Sequence, residues 1–164
     1  MPFPFRFSYS DARMTHRSNH QVLNRLLTVL QRSLPTYLTY ASPWTHKGDE
    51  QAVDVLRHIV DDQQRLAGRV ADHILDEYGP VVLGDYPLDF PDTHDLAFDY
   101  LLGKLVICQK ADVAKLEACV SEIMDDPTAL ALAEESLGSA RAHLETLEEL
   151  AAKAAKAGVS WAKP

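Results

Sequence analysis

Residues 126–158, DPTALALAEESLGSARAHLETLEELAAKAAKAG, contain the clearest helical pattern of the chain. Asp126 followed by proline predicts an N-cap and a first helical turn, and Gly158 predicts the end of that helix. Apolar residues recur in between in steps of three and four: Leu130, Ala133, Leu137, Ala140, Leu144, Leu147, Ala151 and Ala154. This period predicts one long helix that packs nearly antiparallel against its neighbours.

Three more segments have the same helical period, at about residues 18–41, 49–78 and 93–125. Pro35 lies inside the first of them and predicts a kink or a break of one turn. Residues 79–93 contain several prolines and glycines and have no helical period. A connection of that length needs a reason, and a crossover along a bundle supplies one. We therefore expect an all-α, four-helix bundle of two helical hairpins joined by a long crossover between helices 2 and 3.

The two ends of the chain fall outside this pattern. Four aromatic residues alternate strictly near the start, which is the period of an extended strand: Phe3, Phe5, Phe7 and Tyr9. We expect an extended arm over residues 1–17, lying either on the bundle or on a partner subunit, and then the bundle itself over residues 18–158. Residues 159–164 form a C-terminal tail with Trp161. Aromatic material of this kind often lies at interfaces, so we expect a homodimer.

Composition limits the class of protein. The chain has 164 residues, 46% of them hydrophobic, and a formal net charge of -8, which together indicate one globular and acidic domain. That charge disfavours binding to nucleic acid or to an anionic membrane surface. No apolar run is long enough to span a membrane, and no secretory signal is evident. Cys108 and Cys119 lie too far apart on one predicted helix to form a disulfide, so we expect free thiols and a cytoplasmic protein.

Three segments carry a resemblance to bacterioferritin and its relatives in the ferritin-like superfamily. Residues 23–41, LNRLLTVLQRSLPTYLTYA, resemble the first helix of that family, which begins with Leu-Asn. Residues 61–67, DDQQRLA, resemble its second-helix motif Asp-Glu-x-x-His-Ala. Residues 140–150, ARAHLETLEEL, resemble its fourth-helix motif Glu-x-x-His. The resemblance implies a ferritin-like fold.

A shorter match follows the first helix. It consists of Tyr40, Ala41, Pro43 and Trp44, and it resembles a motif of bacterial ferritin-like proteins of unknown function. This second likeness supports the fold and implies no activity.

The family's di-iron site needs about four carboxylates and two histidines that face inward. In this sequence the corresponding positions hold Leu30, Gln63, Leu66, Gln109, Ala140 and His143. One histidine is kept and no carboxylate is, so the resemblance implies a degenerate site. We expect a non-catalytic structural or interaction module that uses no cofactor.

The replacements also suggest what occupies the middle of the bundle. Glutamine keeps the shape and hydrogen-bonding capacity of glutamate without its charge, and unpaired buried carboxylates are costly. We therefore predict a neutral, hydrogen-bonded polar layer made of Gln63, Gln109 and His143.

Two other functions remain open at this point. The first is a metal-binding oxidase or metal-handling protein with relocated iron or manganese ligands, the candidates being His58, Asp61, Asp62 and His143, with His73 as a further histidine. The second is a small molecule binder with a pocket between helices, lined by Tyr37, Tyr40, Trp44 and Tyr100. The sequence has no nucleophile motif and no glycine-rich phosphate loop.

Overall fold

The computed structural model describes residues 9–41, 50–93, 96 and 98–156. Five α-helices in these ranges form a packed bundle: α1 (Tyr9–Gln31), α2 (Leu34–Ala41), α3 (Glu50–Asp76), α4 (Phe98–Glu122) and α5 (Pro127–Lys156). A short 3₁₀ turn, Pro91–Thr93, precedes α4, and the described ranges contain no strand. The prediction of an all-α protein is confirmed.

The start of the chain differs from the prediction. α1 begins at Tyr9, so the expectation of an extended arm over residues 1–17 is wrong for its second half. Residues 9–31 contain no proline or glycine, and nothing in their sequence prevents a helix from starting early. Residues 1–8 and 157–164, which hold the remainder of the predicted arm and the predicted tail, lie outside the described residues.

The first predicted helix is divided just before Pro35, as its sequence indicated. α1 ends at Gln31 and α2 begins at Leu34, with Pro35 as its second residue, where a missing N–H does no harm. The hydroxyl of Ser33 accepts a hydrogen bond from the Thr36 N–H at 3.3 Å and caps α2. α2 is therefore a separate short helix.

Contacts along the helices give their directions. Arg69 of α3 pairs with Glu135 of α5, and Asp62 pairs with His143 farther along, so α3 and α5 are antiparallel. Glu117 of α4 meets Arg141 of α5 and Lys110 meets Glu148, so these two helices are antiparallel as well. It follows that α3 and α4 run in the same direction, which requires a connection that returns along the bundle.

Residues 77–93, which we call the connecting segment, make that return along α1. Asn24 donates to the carbonyl of Pro80 at 2.9 Å and accepts from the Val82 N–H at 2.7 Å. One turn on, the Thr28 hydroxyl accepts from the Gly84 N–H at 3.0 Å. A Cβ at Gly84 would lie 2.9 Å from the Thr28 methyl, so glycine allows this close approach.

The start of α5 is fixed by the cap that the sequence predicts. Asp126 accepts a hydrogen bond from the Ala129 N–H at 2.9 Å. Its other carboxylate oxygen lies 3.0 Å from Nε2 of His73, near the end of α3. Burial opposes the charged form of Asp126, but the two hydrogen bonds outweigh it, and the pKa of this carboxyl lies below its ordinary value. The cap therefore also ties α3 to α5.

The core has two parts. The larger part joins α1, α3, α4 and α5 around fully buried side chains such as Leu23, Leu26 and Leu66. The smaller part joins α2 to α3, α4 and α5 through residues such as Leu34 and Leu105. No helix in the described ranges combines the length and apolarity that crossing a membrane requires.

Candidate functional site

A small cavity lies in the middle of the bundle, between α1, α3, α4 and α5. Its volume is about 10 Å³, which is room for one water molecule at most. The residues that the sequence assigned to a degenerate di-iron site all line it: Leu30, Gln63, Leu66, Gln109, Ala140 and His143. We call this space the central cavity.

Gln63 links the central cavity to the break between α1 and α2. Its side chain is 5% exposed, and Oε1 accepts the Ser33 hydroxyl at 2.7 Å. The Thr36 hydroxyl lies 3.3 Å from the same oxygen. Both hydroxyls come from the turn that starts α2, so Gln63 holds that turn against α3.

Gln109 and His143 each have one partnered and one unpartnered polar atom. The amide nitrogen of Gln109 donates to the carbonyl of Ala140 at 3.0 Å. Nε2 of His143 lies 3.1 Å from Asp62 and 3.4 Å from the Ser139 hydroxyl. Oε1 of Gln109 and Nδ1 of His143 have no hydrogen-bond partner among the described residues.

The predicted polar layer is therefore buried, but its members do not bond one another. Gln63, Gln109 and His143 are 5%, 1% and 9% exposed, and each one bonds neighbours of its own. The three residues therefore line one cavity, and their hydrogen bonds go to Ser33, Ala140 and Asp62 rather than to one another.

Two carboxylates that the sequence mapping did not consider at the centre lie beside the cavity. The hydrogen bond from His143 lowers the pKa of Asp62 below its ordinary value, and Arg65 adds to this. Asp112 lines the cavity, is 8% exposed and pairs with Lys115 at 2.9 Å. Burial nevertheless raises the pKa of Asp112. Asp112 lies three residues after Gln109, and this helical spacing was the only sequence signal for it.

The residues around the central cavity do not fit a di-iron centre. Three of the six expected ligand positions carry alkyl side chains that have no donor atom: Leu30, Leu66 and Ala140. Among the described residues, no group of three or more His, Cys, Asp or Glu side chains is arranged to hold a metal ion. We therefore derive no metal chemistry for this site.

The candidates for relocated ligands lie on different surfaces. His58 is exposed, and its Nδ1 lies 2.7 Å from the backbone carbonyl of Asp54 on its own helix. Asp61 is exposed, whereas Asp62 meets His143. His73 meets Asp126 at the far end of α3. Of the four main candidates, the fold brings together only Asp62 and His143.

A much larger opening lies between α1, the connecting segment and α4. Its volume is about 500 Å³, within the range of small-molecule sites. The face of α4 that borders it carries small side chains where a packed helix would carry leucine, and these are Cys108, Ala111, Ala118 and Cys119. Burial raises the pKa of both thiols, which keeps them uncharged. We call this opening the side groove.

Charged residues of both signs border the side groove. Arg25 pairs with Glu122, and Lys115 pairs with Asp112. Arg32 donates from Nε to the carbonyl of Gly84 at 2.9 Å. Its guanidinium carbon also lies 4.8 Å from the centroid of the Tyr86 ring, a cation–π contact. The guanidinium of Arg32 is therefore held in place from two sides.

The aromatic pocket predicted from the sequence is not formed by the described residues. Tyr37 packs edge-on against Tyr86 at 5.4 Å and also contacts Phe90 at 5.6 Å. Tyr40 and Tyr100 are exposed on the surface, by 77% and 48%. The fourth member, Trp44, lies outside the described residues. The sequence does not predict the side groove, because small residues on one face of a helix are also ordinary helix-forming residues.

Comparison with known proteins adds no assignment to this geometry. No protein-family model matches the chain, and neither a curated protein nor a solved structure matches it.

Proposed function

We propose that this protein is a ferritin-like helical bundle with a degenerate di-iron site, and that it acts as a structural or interaction module rather than as an enzyme. The observation that carries the proposal is the lining of the central cavity. Six positions predicted from family motifs meet around one space of about 10 Å³, and three of them are alkyl side chains. A site built this way packs helices together and lacks the ligands for oxidation chemistry.

The ferritin-like part of the proposal has two supports. One is the helix order: α1 and α3 run antiparallel, α4 and α5 run antiparallel, and the segment between these pairs runs back along α1. The other is the meeting of Leu30, Gln63 and Leu66 with residues of α4 and α5 at one level. Because no family model or solved structure matches, the relationship rests on these features alone.

Elemental analysis tests the proposal directly. The full chain, free of any affinity tag, is produced with iron, manganese and zinc available, and its bound metal is measured. We expect less than about one metal ion per ten chains, since two convergent side chains make a weak site. Stoichiometric iron or manganese would contradict the proposal and favour a metal-handling protein with ligands near Asp62 and His143.

A second experiment tests the correspondence of positions. A variant combines Leu30→Glu, Gln63→Glu, Leu66→His, Gln109→Glu and Ala140→Glu, which restores the family's ligand types. We expect it to be poorly folded alone and to gain helicity with ferrous iron, because metal neutralises buried carboxylates. The matched control places Glu at the exposed positions of Gln64 and Ala142 and gains nothing from iron.

A second candidate function is the binding of a small molecule between helices, and the side groove favours it. The groove has the volume of a ligand site, an apolar α4 wall and charged groups at its border. This function is compatible with the first, because the groove and the central cavity are separate spaces that border adjacent faces of α4.

We also propose that the protein is a cytoplasmic homodimer that binds neither nucleic acid nor membranes. Support for a partner surface comes from exposed apolar side chains near the end of α3 and on the connecting segment: Leu75, Tyr78, Val82, Leu83 and Leu88. Light scattering after size-exclusion chromatography is expected to give twice the chain mass of 18.3 kDa. A monomer at all concentrations would refute the dimer.

A further inference from the structure

We propose that the side groove binds a small molecule with one carboxylate group and an apolar tail. This inference rests on the second proposed function, the binding of a small molecule between helices, and names its ligand class. Three features of the groove support it: the shape of its apolar wall, the state of its charged groups and the number of charges that have no partner among the described residues.

The apolar wall is suited to a tail rather than to a polar ligand. Ala111 and Ala118 lie two turns apart on α4, and Cys108 lies one turn before Ala111. None of these small side chains fills the groove in front of it. Val29 of α1 and Phe90 of the connecting segment close the wall from the other sides. The raised pKa of Cys108 keeps its thiol neutral and adds to the apolar surface.

Arg32 is the group that would hold the carboxylate. Of the three basic residues of the groove, Arg25 and Lys115 already have carboxylate partners, Glu122 and Asp112. Arg32 has none among the described residues: its Nε is used by Gly84, and its two terminal nitrogens remain available. A guanidinium held in this way loses little side-chain freedom on binding and can bond a carboxylate through two parallel hydrogen bonds.

The other charges favour a single negative charge on the ligand. Asp89 is neutralised by Lys104 at 3.0 Å, but Asp85 borders the groove without a partner among the described residues. The negative charge of Asp85 would repel a phosphate dianion, whereas Arg32 alone can neutralise a monocarboxylate. An amine placed on Asp85 would remain in water, because that carboxylate is exposed, and would gain little there.

Titration calorimetry with decanoate, decanol and decylamine tests this assignment on the full chain. Decanoate is expected to bind with one site per chain, about tenfold or more tighter than decanol, which has the same tail without the charge. The change Arg32→Gln is expected to remove most of that difference. The matched change Arg57→Gln, in an exposed arginine of α3 that pairs with Asp54 away from the groove, is expected to alter affinity less than about threefold.

A groove-filling variant separates failure of the ligand class from failure of the groove itself. Ala111→Leu, with helicity checked by circular dichroism, is expected to abolish decanoate binding. If decylamine binds more tightly than decanoate and Ala111→Leu abolishes the binding of decylamine, the groove binds a small molecule but the carboxylate assignment is overturned. If Ala111→Leu leaves every isotherm unchanged, or if no probe binds the native chain, both are overturned.

Discussion

The central cavity and the side groove border the same helix, α4, but the groove is about fifty times larger, with about 500 Å³ against about 10 Å³. Leucines close the centre, with Leu30, Leu66 and Leu116 on three different helices. Alanines and cysteines leave the other face open. Side-chain volume, rather than polarity, therefore decides which face of α4 is open, since both faces carry polar groups.

Asp112 and Val29 belong to both regions, because each lines the central cavity and the side groove. Asp112 is nearly buried and its pKa is raised, yet Lys115 neutralises it from the groove side. This residue therefore forms the boundary between a closed polar centre and an open groove.

The largest expected effect comes from exchanging leucine and alanine between the two regions. Leu66→Ala removes a fully buried side chain and is expected to cost about 2–5 kcal/mol in the free energy of unfolding, because the centre cannot collapse around the loss. Ala111→Leu is expected to change it by less than about 0.5 kcal/mol, because the groove has room. Urea denaturation measures both. Equal costs would abolish the distinction drawn between the regions.

The next effect concerns Gln63, whose oxygen accepts the Ser33 hydroxyl. Gln63→Leu is expected to cost about 1–3 kcal/mol, because it leaves a buried hydroxyl without its acceptor. The matched control is Gln64→Leu, which changes an exposed neighbour on the same helix and is expected to be nearly neutral. A neutral Gln63→Leu would mean that the polar centre contributes nothing to joining α2 and α3.

A smaller effect is expected at the cap of α5, away from both regions. Asp126→Ala is expected to cost about 1 kcal/mol, and Asp126→Asn less, because asparagine still caps. The pKa of Asp126 is below its ordinary value of 3.8, so its charge stabilises the fold above pH 3.8. That contribution is lost as the pH falls through the lowered pKa. Unfolding curves of wild type and Asp126→Asn should therefore converge below about pH 4. A difference in unfolding free energy that stays constant with pH would be evidence against stabilisation by the charge of Asp126.

The smallest effect is expected at the boundary residue. The pKa of Asp112 is raised above its ordinary value of 3.8, so ionising this carboxyl costs folding energy as the pH rises through the raised pKa. Asp112→Asn is therefore expected to be neutral or slightly stabilising at pH 7, by less than about 1 kcal/mol. Above pH 7 the variant is expected to be no less stable than wild type. A clear loss of stability at pH 7 would show that the Lys115 pair outweighs burial.

Local rules predicted much of the secondary structure. The cap at Asp126, the break before Pro35 and the irregular run after Gly79 each depend on one or two residues whose backbone preferences act locally. The aromatic alternation near the start predicts an extended strand, so the sequence does not predict the early start of α1, although nothing over residues 9–31 opposes a helix.

The candidate sites were only partly predictable. The six positions of the central cavity followed from family motifs together with helical spacing. The contact of His143 with Asp62 joins α5 to α3, and the hydrogen bond of Gln109 joins α4 to a backbone carbonyl of α5. Such partners depend on the rotation of each helix about its axis. The hydrophobic periodicity of a sequence gives that rotation only to within a residue or two.

Residue types and their spacing along one segment were enough to predict that the chain is helical, that a helix starts after Asp126 and that the helix is interrupted at Pro35, because these features depend on local backbone preferences. The burial of Asp112, the absence of a carboxylate partner for Arg32 among the described residues and the open groove beside α4 became visible only in the folded structure. These properties depend on how much volume three separate elements leave between them, and spacing along a single segment carries no information about that volume.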